Sequence, residues 1–227
     1  MSFFDLLFPN CSCLVCRGEI NGGGYICDGC GADLPANVST KNTVYNVTVG
    51  KRRRAIKLHA PFIYRDGVVG LILRLKYNGE GDIAKLFAPY MWTTVKSAGK
   101  QDLIVPVPLS AERYKMRGYN QSTWLANEIA RVMRGAGVKP PPVVDALVRV
   151  KKTEVQKNMS KKQREENMKG AFAMNASLRG VDNIKDKHIL LIDDVFTTGA
   201  TAAECARVLF KNGAQSVNVL TIARAGE

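Results

Sequence analysis

The segment HILLIDDVFTTGAT, residues 188–201, decides the fold of this 227-residue chain. Its apolar run from Ile189 to Ile192 is long enough for a buried parallel strand and too short for a separate helix. Two adjacent carboxylates, Asp193 and Asp194, end the run, and a small, hydroxyl-rich turn then leads into a helical pattern. A strand that passes through a tight turn into a helix is the unit of a parallel α/β sheet, which binds ligands beyond the carboxyl ends of its strands.

The turn that follows the two acids has the composition of a phosphate site. Its glycine permits close approach of the backbone, and amides at the start of a helix converge where the helix dipole favours an anion. The residues predicted to hold the phosphate are Thr197, Thr198, Gly199, Ala200 and Thr201. The acids would repel a triphosphate, and the Gly-Lys-Ser/Thr of a nucleoside triphosphate loop is missing. Because carboxylates accept hydrogen bonds from hydroxyls, the acids predict a sugar phosphate instead.

The rest of the chain continues the alternation of strands and helices. Apolar runs predict strands at 55–64, 102–108, 143–150, 170–175 and 216–222, and helices at 67–77, 82–95 and 199–212. Between residues 110 and 135 a basic loop leads into an amphipathic helix with Leu125, Ile129 and Val132 on one face. We therefore predict an α/β fold with a mainly parallel sheet flanked by helices. The predicted units are a small module at 1–40, a polar connector at 41–54 and the α/β domain at 55–227.

The chain has a net charge of +13 with its two histidines counted as neutral. Lysine and arginine therefore account for its basic character. The cations are concentrated at 51–54, 113–117 and 151–169. Such a balance favours nucleic acid, an anionic membrane surface or phosphorylated ligands, and a solvated surface is the plain alternative. The chain has no apolar run long enough to cross a bilayer and no recognisable signal peptide, so we expect a cytoplasmic location that permits peripheral contact with the inner face of the membrane.

Five of the six cysteines fall between residues 11 and 30. Two Cys-x₂-Cys pairs separated by ten residues, Cys13 with Cys16 and Cys27 with Cys30, are typical of a zinc ribbon. Four thiolates complete the tetrahedral coordination of Zn²⁺, which predicts a structural site that allows so small a module to fold. Cys11 is an alternative ligand to Cys13, and two disulfides are the competing interpretation of the cluster.

Several motifs resemble known families. The segment 189–201 is similar to the phosphoribosyl pyrophosphate signature of type I phosphoribosyltransferases. Nearly the whole chain resembles the ComF family of competence proteins. That resemblance is carried by the cysteine module with Leu34-Pro35, LKYNG at 75–79, PVPLSAERYKMRGYNQ at 106–121, TEVQKNMSKKQREENMKGAF at 153–172 and the final phosphate motif. It implies a type I phosphoribosyltransferase-like domain behind a zinc-ribbon module.

The resemblance also implies roles for individual residues. Asp193 and Asp194 would hold the ribose 2′- and 3′-hydroxyls, the turn would hold the 5′-phosphate, and Mg²⁺ would accompany the sugar and its pyrophosphate. The residues implied to line the ligand site are Lys76, Arg113, Arg117, Asn120 and Gln121, with Thr153 and Gln156 near it. From its own residues, a flexible basic loop carrying Arg113, Lys115 and Arg117 could close over a departing pyrophosphate, and a solvated basic loop is the alternative. The predicted catalytic residues are Asp193, Asp194 and Arg117.

Three functions fit this sequence. By resemblance, the protein binds phosphoribosyl pyrophosphate and assists incoming single-stranded DNA in the cytoplasm, with a helicase-like ATPase of competence as partner. The alternative is an active phosphoribosyltransferase that transfers ribose 5-phosphate to a base or amine and releases pyrophosphate. The third is a zinc-ribbon nucleic-acid binder whose phosphoribosyl site is vestigial.

The stretch 151–169 has seven basic residues against three acidic ones and admits two interpretations. As a loop, it could cover an acceptor base. As a surface helix, it could contact a polyanion through its lysines.

Overall fold

The computed structural model describes residues 12–20, 24–34, 43–151, 161–177 and 184–225. The strands are β1 (Thr43–Val49), β2 (Arg52–His59), β3 (Phe62–Ile63), β4 (Leu103–Pro106), β5 (Leu147–Arg149), β6 (Phe172–Met174), β7 (His188–Phe196) and β8 (Ser216–Arg224). The helices are α1 (Asp28–Ala32), α2 (Asp66–Tyr77), α3 (Asp82–Val95), α4 (Ala111–Arg117), α5 (Gln121–Gly135), α6 (Lys161–Met168) and α7 (Ala200–Lys211).

The main sheet contains six strands and is mainly parallel, as predicted. Its order is β1-β2-β8-β7-β4, and the short β3 pairs with β8 beyond the end of β2. All pairs are parallel except β1 with β2. β5 and β6 form a separate antiparallel pair. The two longest strands, β7 and β8, therefore lie inside the sheet, and the acid pair lies in the carboxyl-terminal half of β7.

Helices cover both faces of this sheet. Neighbouring residues of a strand point to opposite faces, so Leu190 and Ile192 of β7 pack with α2, α3 and α5, whereas Ile189 and Leu191 pack with α7, β5 and β6. All four side chains are at most 2% exposed. Burial on both faces explains why β7 is an almost continuous apolar run.

The predicted polar connector at 41–54 is not seen over residues 43–54, which form β1 and the beginning of β2. The two strands are antiparallel, and Val47 and Ile56 are buried whereas Thr48 and Arg53 are exposed. Only one face of this hairpin packs on the core, so half of its side chains are polar. The prediction of a connector followed from these polar residues and overlooked the alternation of inward-facing and outward-facing side chains along the strands.

The basic loop before α5 also contains a helix that its composition did not predict. Ser110 Oγ accepts a hydrogen bond from Arg113 N at 3.3 Å, which caps α4, and Gly118 ends α4 with a φ of +78°. In the 151–169 stretch, α6 is consistent with the surface-helix interpretation, and residues 152–160 lie outside the described part of the chain.

The cysteine module lies against α2. Leu14 and Leu34 are buried in the same core cluster as Val68 and Leu71 of this helix. A Cβ at Gly67 would lie 3.9 Å from both Leu34 and Val15, in ordinary van der Waals contact, so the module packs directly on the first turn of this helix. None of the helices within the described ranges combines the length and the apolar character needed to cross a bilayer.

Candidate functional site

Asp194 is held by two side chains from different helices. Its Oδ1 lies 2.9 Å from Lys76 Nζ at the end of α2, and its Oδ2 accepts a hydrogen bond from Gln121 Nε2 of α5 at 2.8 Å. Burial alone would lower the pKa of Lys76, but the negative charge of Asp194 raises it above its usual value. Asp194 is only 4% exposed. Its carboxylate is therefore fixed in place, with both oxygens engaged.

Asp193 is half-buried and has a different environment. Its Oδ1 accepts hydrogen bonds from Ser122 Oγ at 3.2 Å and from Asp194 N at 2.9 Å. Within the described ranges neither hydrogen bond uses Oδ2 of Asp193, so this oxygen can accept a hydrogen bond from a hydroxyl of a ligand. Burial and then the charge of Asp194 raise the pKa of Asp193 to about 7, against the opposing effect of Lys76. Asp193 can therefore exchange a proton near neutral pH.

The turn after β7 forms a small cradle that could hold an anion. Gly199 is the N-cap of α7 with a φ of +80°, and no side chain caps the first amides of the helix. A Cβ at this position would lie 2.6 Å from Cζ of Phe196. A cavity of about 30 Å³ lies here, and its walls include Thr197, Thr198, Gly199, Ala200 and Thr201. The structure thus brings the predicted phosphate residues together.

A larger cavity of about 280 Å³ adjoins the cradle and shares Asp193, Thr197 and Thr201 with it. Its cationic wall residues are Lys76, Arg113, Arg117 and Arg149. Arg117 donates from Nη1 to Gln121 Oε1 at 3.0 Å, and its guanidinium lies 4.7 Å from the centre of the Tyr77 ring. Two carboxylates, the cradle and four cations therefore line two adjoining cavities that share part of their walls.

Arg149 is a cavity residue that the sequence did not single out. Burial, and then the positive charge of Arg113, lower the pKa of Arg149. It lies on β5, and its guanidinium is 5.6 Å from the centre of the Phe172 ring. Ser122, which donates to Asp193, was also missed. Neither has a local sequence signal, because each reaches the site only through the packing of a separate element.

Of the residues predicted to line the ligand site, one lies outside the cavity wall and two lie outside the described part of the chain. Asn120 is not part of the cavity wall; it donates from Nδ2 to Val107 O and accepts from Ser122 N, both at 3.0 Å. It therefore caps α5 and holds the loop in place. Thr153 and Gln156 fall outside the described residues.

A second site lies in the cysteine module. The sulfur atoms of Cys13, Cys16, Cys27 and Cys30 all lie within 4.8 Å of one another. Burial opposes ionisation of Cys13, but hydrogen bonds from backbone N–H groups lower its pKa to about 6. Four clustered sulfur donors could hold a tetrahedral metal ion such as zinc and would leave no open position. Cys11 lies outside the described residues.

Arg74 joins this module to α2, the helix whose last residues, Lys76 and Tyr77, reach the ligand cavity. It donates to the carbonyl of Leu14 in the module and from Nε to Glu80 Oε1 at 2.8 Å. Arg17 of the module also reaches Glu80, at 3.2 Å. Arg74 lies two residues before Lys76 on α2, so the same turn of helix contacts the cysteine module and the acid pair.

Comparison with known proteins gives consistent matches. Residues 120–227 match the family described as phosphoribosyl transferase domain. The DNA utilization protein YhgH of Salmonella typhimurium is 34% identical over 160 residues, which cover 68% of this chain and 66%, just under two thirds, of that protein. Competence protein F of Haemophilus influenzae is 28% identical over 241 residues, which cover 99% of this chain and 100% of that protein.

Among solved structures, the purine phosphoribosyltransferase of Pyrococcus horikoshii aligns with 59% of this chain and 67% of its own. The identity is 16% and the TM-score 0.35. The family match over residues 120–227 and the mainly parallel strand order confirm the type I phosphoribosyltransferase-like fold predicted from the sequence.

Proposed function

Because this chain is a homologue of bacterial competence and DNA utilization proteins and contains a phosphoribosyl transferase domain, we propose that it acts in DNA uptake. In this proposal it binds phosphoribosyl pyrophosphate and assists incoming single-stranded DNA in the cytoplasm. The observation that carries the ligand assignment is the pair of adjoining cavities lined by Asp193, Asp194, the 197–201 cradle and three guanidinium groups.

Each part of the ligand has a counterpart in these cavities. The 5′-phosphate fits the cradle at the start of α7, where uncapped amides and the helix dipole favour an anion. Ribose hydroxyls can donate to Asp193 Oδ2, while Asp194 keeps Lys76 and Gln121 in position. The acid pair and the phosphate are then separated by the width of a ribose, which avoids direct repulsion.

The pyrophosphate would lie against Arg113, Arg117 and Arg149. Among the described residues, Arg117 Nε is buried and has no hydrogen-bond acceptor. A buried donor of this kind is costly unless a ligand engages it, and guanidinium groups match phosphate oxygens well. Mg²⁺ bound with the pyrophosphate would neutralise part of its charge. These three arginines support the pyrophosphate form of the ligand rather than ribose 5-phosphate alone.

Calorimetry with magnesium phosphoribosyl pyrophosphate tests the site. The double variant Asp193→Asn with Asp194→Asn keeps the shape of both side chains but removes their charges, and we expect at least about tenfold weaker binding, equivalent to about 1.4 kcal/mol. Asp145→Asn is the control, because Asp145 is exposed and is not part of the cavity wall. Equal affinities of the wild type and the double variant would contradict the site.

One observation favours an active transferase as a second candidate. Asp193, with a pKa of about 7, lies where it could take a proton at neutral pH. In the reaction, an acceptor nitrogen would bond to C1 of the ribose while the C1–oxygen bond to pyrophosphate breaks. The acceptor proton would pass to Asp193, and pyrophosphate would leave against the arginines.

Pyrophosphate release over a panel of bases, amines and ammonia separates the two candidates. Release by the wild type that is lost in Asp193→Asn would establish the transferase. Tight binding of phosphoribosyl pyrophosphate without release for any acceptor would support the binding protein.

The proposed role also includes the helicase-like ATPase and the peripheral membrane contact implied by the family resemblance. DNA taken up by a cell emerges at the inner face of the membrane, and a chain with a net charge of +13 is suited to meet polyanions there. Co-purification of the protein with that ATPase from membrane fractions, and its loss at high salt, tests this part of the proposal.

A further inference from the structure

Cationic side chains gather at the end of the sheet opposite the ligand cavity. Four segments contribute them: the β1–β2 hairpin at residues 51–54, Lys100, the pair Lys185 and Lys187, and Lys211. All are exposed except Arg54, which is half-buried. We call this set the amino-terminal rim, because it surrounds the amino ends of the parallel strands β2, β4, β7 and β8.

Backbone contacts make the rim one continuous surface. Arg54 Nη2 donates to Gln215 O at 2.6 Å, and Gln215 N donates to Lys187 O at 2.8 Å. Farther along, Asp102 N donates to His188 O at 2.7 Å, which places the loop carrying Lys100 beside the start of β7. The hairpin and the loops before β4, β7 and β8 are therefore neighbours in space.

The remaining two lysines join the same surface. Asp186 N donates to Gly213 O at 2.9 Å, and a Cβ at Gly213 would lie 3.2 Å from Lys185 Cγ. Lys211, the last residue of α7, lies two residues before Gly213. Lys185 and Lys211 thus flank the turn that leads into β8.

In the described parts of these segments, the acids that face the cations are Asp102 and Asp186. Asp186 is exposed, and Asp102, with its side chain 14% exposed, lies 2.9 Å from Lys100 Nζ. The hairpin cations of residues 51–53 and Lys211 form no ion pair with these two carboxylates. Like charges held side by side on fixed strands and loops create a strong positive potential, which attracts polyanions.

We propose that the amino-terminal rim binds the phosphate backbone of single-stranded DNA. This inference rests on the proposed function in DNA uptake and locates the DNA on the molecule. The large apolar side chains exposed in the described ranges lie outside the rim. Without exposed aromatic rings, the rim contacts phosphates rather than stacking on bases, and without apolar side chains to insert it is poorly suited to a bilayer.

The position of the rim separates the two ligands. His188 begins β7 at the rim and Asp194 faces the cavity, and six residues of strand span about 20 Å. DNA lying on the rim leaves the cavity open. The protein can therefore hold a DNA strand and a sugar phosphate at the same time, at opposite ends of one sheet.

Fluorescence anisotropy with a labelled single-stranded oligonucleotide of mixed sequence tests the proposal. The rim variant replaces Arg52, Arg53 and Lys187 by Ser, three exposed positions whose side chains carry no part of the core. The control variant replaces Arg65, Lys151 and Lys169 by Ser, which removes the same charge from exposed positions outside the rim and includes two lysines of the basic 151–169 stretch.

We expect the rim variant to bind the oligonucleotide at least about tenfold more weakly than the wild type. The slope of log K against log salt concentration should become shallower by about two, because three phosphate contacts are lost and each contributes about 0.7 on a single strand. The control variant should bind like the wild type, and calorimetry should give the same phosphoribosyl pyrophosphate affinity for all three proteins. Equal losses in both variants would overturn the rim while leaving DNA binding intact.

Two further outcomes would also overturn the proposal. A wild type that does not bind the oligonucleotide removes the DNA part of the proposed function itself. Loss of binding to vesicles of phosphatidylglycerol and phosphatidylcholine by the rim variant, with oligonucleotide binding unchanged, would assign the rim to the membrane instead.

Discussion

Gly199 shapes the turn that we propose holds the phosphate. Its φ is +80°, and a Cβ would lie 2.6 Å from Cζ of Phe196. Gly137 has a nearly equal φ of +75°, and a Cβ there would meet no atom within 4 Å, so it offers a matched control. Left-handed backbone costs a residue with a Cβ about 1–2 kcal/mol, and the contact with Phe196 adds to that cost at Gly199 alone.

We therefore expect Gly199→Ala to lower the melting temperature more than Gly137→Ala and to weaken phosphoribosyl pyrophosphate binding about tenfold or more, since one turn of misplaced amides is enough to lose a phosphate. Thermal denaturation and calorimetry on both variants measure this. Similar affinities for the two variants would show that the turn does not hold the ligand.

The raised pKa of Asp193 predicts a stability that depends on pH. In the unfolded chain this carboxyl ionises near pH 4, whereas in the fold its pKa is about 7. Between these values the folded state holds a proton that the unfolded state has lost, so the free energy of unfolding falls as pH rises and levels off above pH 7.

Asp193→Asn removes this dependence and keeps an oxygen that accepts from Ser122. We expect its melting temperature to exceed that of the wild type by at least about 2–4 °C at pH 8, corresponding to about 1 kcal/mol, with a difference that shrinks toward pH 4. Glu80 and Asp102, whose pKa values are lowered, act equally in both proteins. A difference that does not change with pH would contradict the raised pKa.

At the scale of residues, the sequence predicts what is local. The acids and the turn are consecutive, so their composition alone indicated a sugar phosphate site at the end of a strand. Arg149 and Ser122 could not be predicted in this way. They reach the cavity because β5 and α5 pack beside β7, a tertiary arrangement that leaves no mark on their neighbours in sequence.

Among the elements, α2 connects the cysteine module to the acid pair. Arg74 contacts Leu14 O and Glu80, and Lys76, two residues later, contacts Asp194. Removing Arg74 would leave a buried carbonyl and a carboxylate with fewer partners, which costs about 1–3 kcal/mol. We infer that an ordered cysteine module keeps the end of α2 in position for the ligand.

This connection predicts that the module affects a ligand it does not touch. Arg74→Gln should take up as much zinc as the wild type, measured by elemental analysis after incubation with Zn²⁺, yet bind phosphoribosyl pyrophosphate several-fold more weakly. Arg65→Gln is the control, because Arg65 precedes the same helix and pairs with Asp66 in an exposed position. Removing zinc with a chelator should lower both the melting temperature and this affinity. Unchanged affinity after complete zinc removal would contradict the connection.

Elements with two buried faces were easier to predict than those with one. Continuous apolar runs in the sequence indicated the type and position of strands β7 and β8. The spacing of apolar residues did the same for helix α3. β1 and α4 were missed, because the outer face of β1 is polar and the exposed side chains of α4 are those of a basic loop. Their structure depends on pairing with β2 and on the Ser110 cap, which are contacts rather than patterns of hydrophobicity.

For the whole molecule, the net charge of +13 has two opposite consequences. The cations that lie close together on the amino-terminal rim favour binding of a polyanion. In the free protein the same cations repel one another, which lowers the free energy of unfolding. At 0.1 M salt the Debye length is about 10 Å, so salt weakens both effects, and most strongly between charges farther apart than that distance. The same increase in salt should therefore weaken DNA binding and raise the melting temperature of the free protein.

The melting temperatures of the rim variant and its control distinguish the effect of the total charge from the effect of where the charges lie. Both lower the net charge by three, so a general effect of charge would raise their melting temperatures equally at low salt. If repulsion is concentrated in the rim, replacing Arg52, Arg53 and Lys187 raises the melting temperature more than replacing Arg65, Lys151 and Lys169, by about 2–4 °C for each 1 kcal/mol relieved. The gap should close as salt increases, because screening removes the repulsion that the substitutions remove. Equal melting temperatures at low salt would show that the cations of the rim are too well solvated to repel one another.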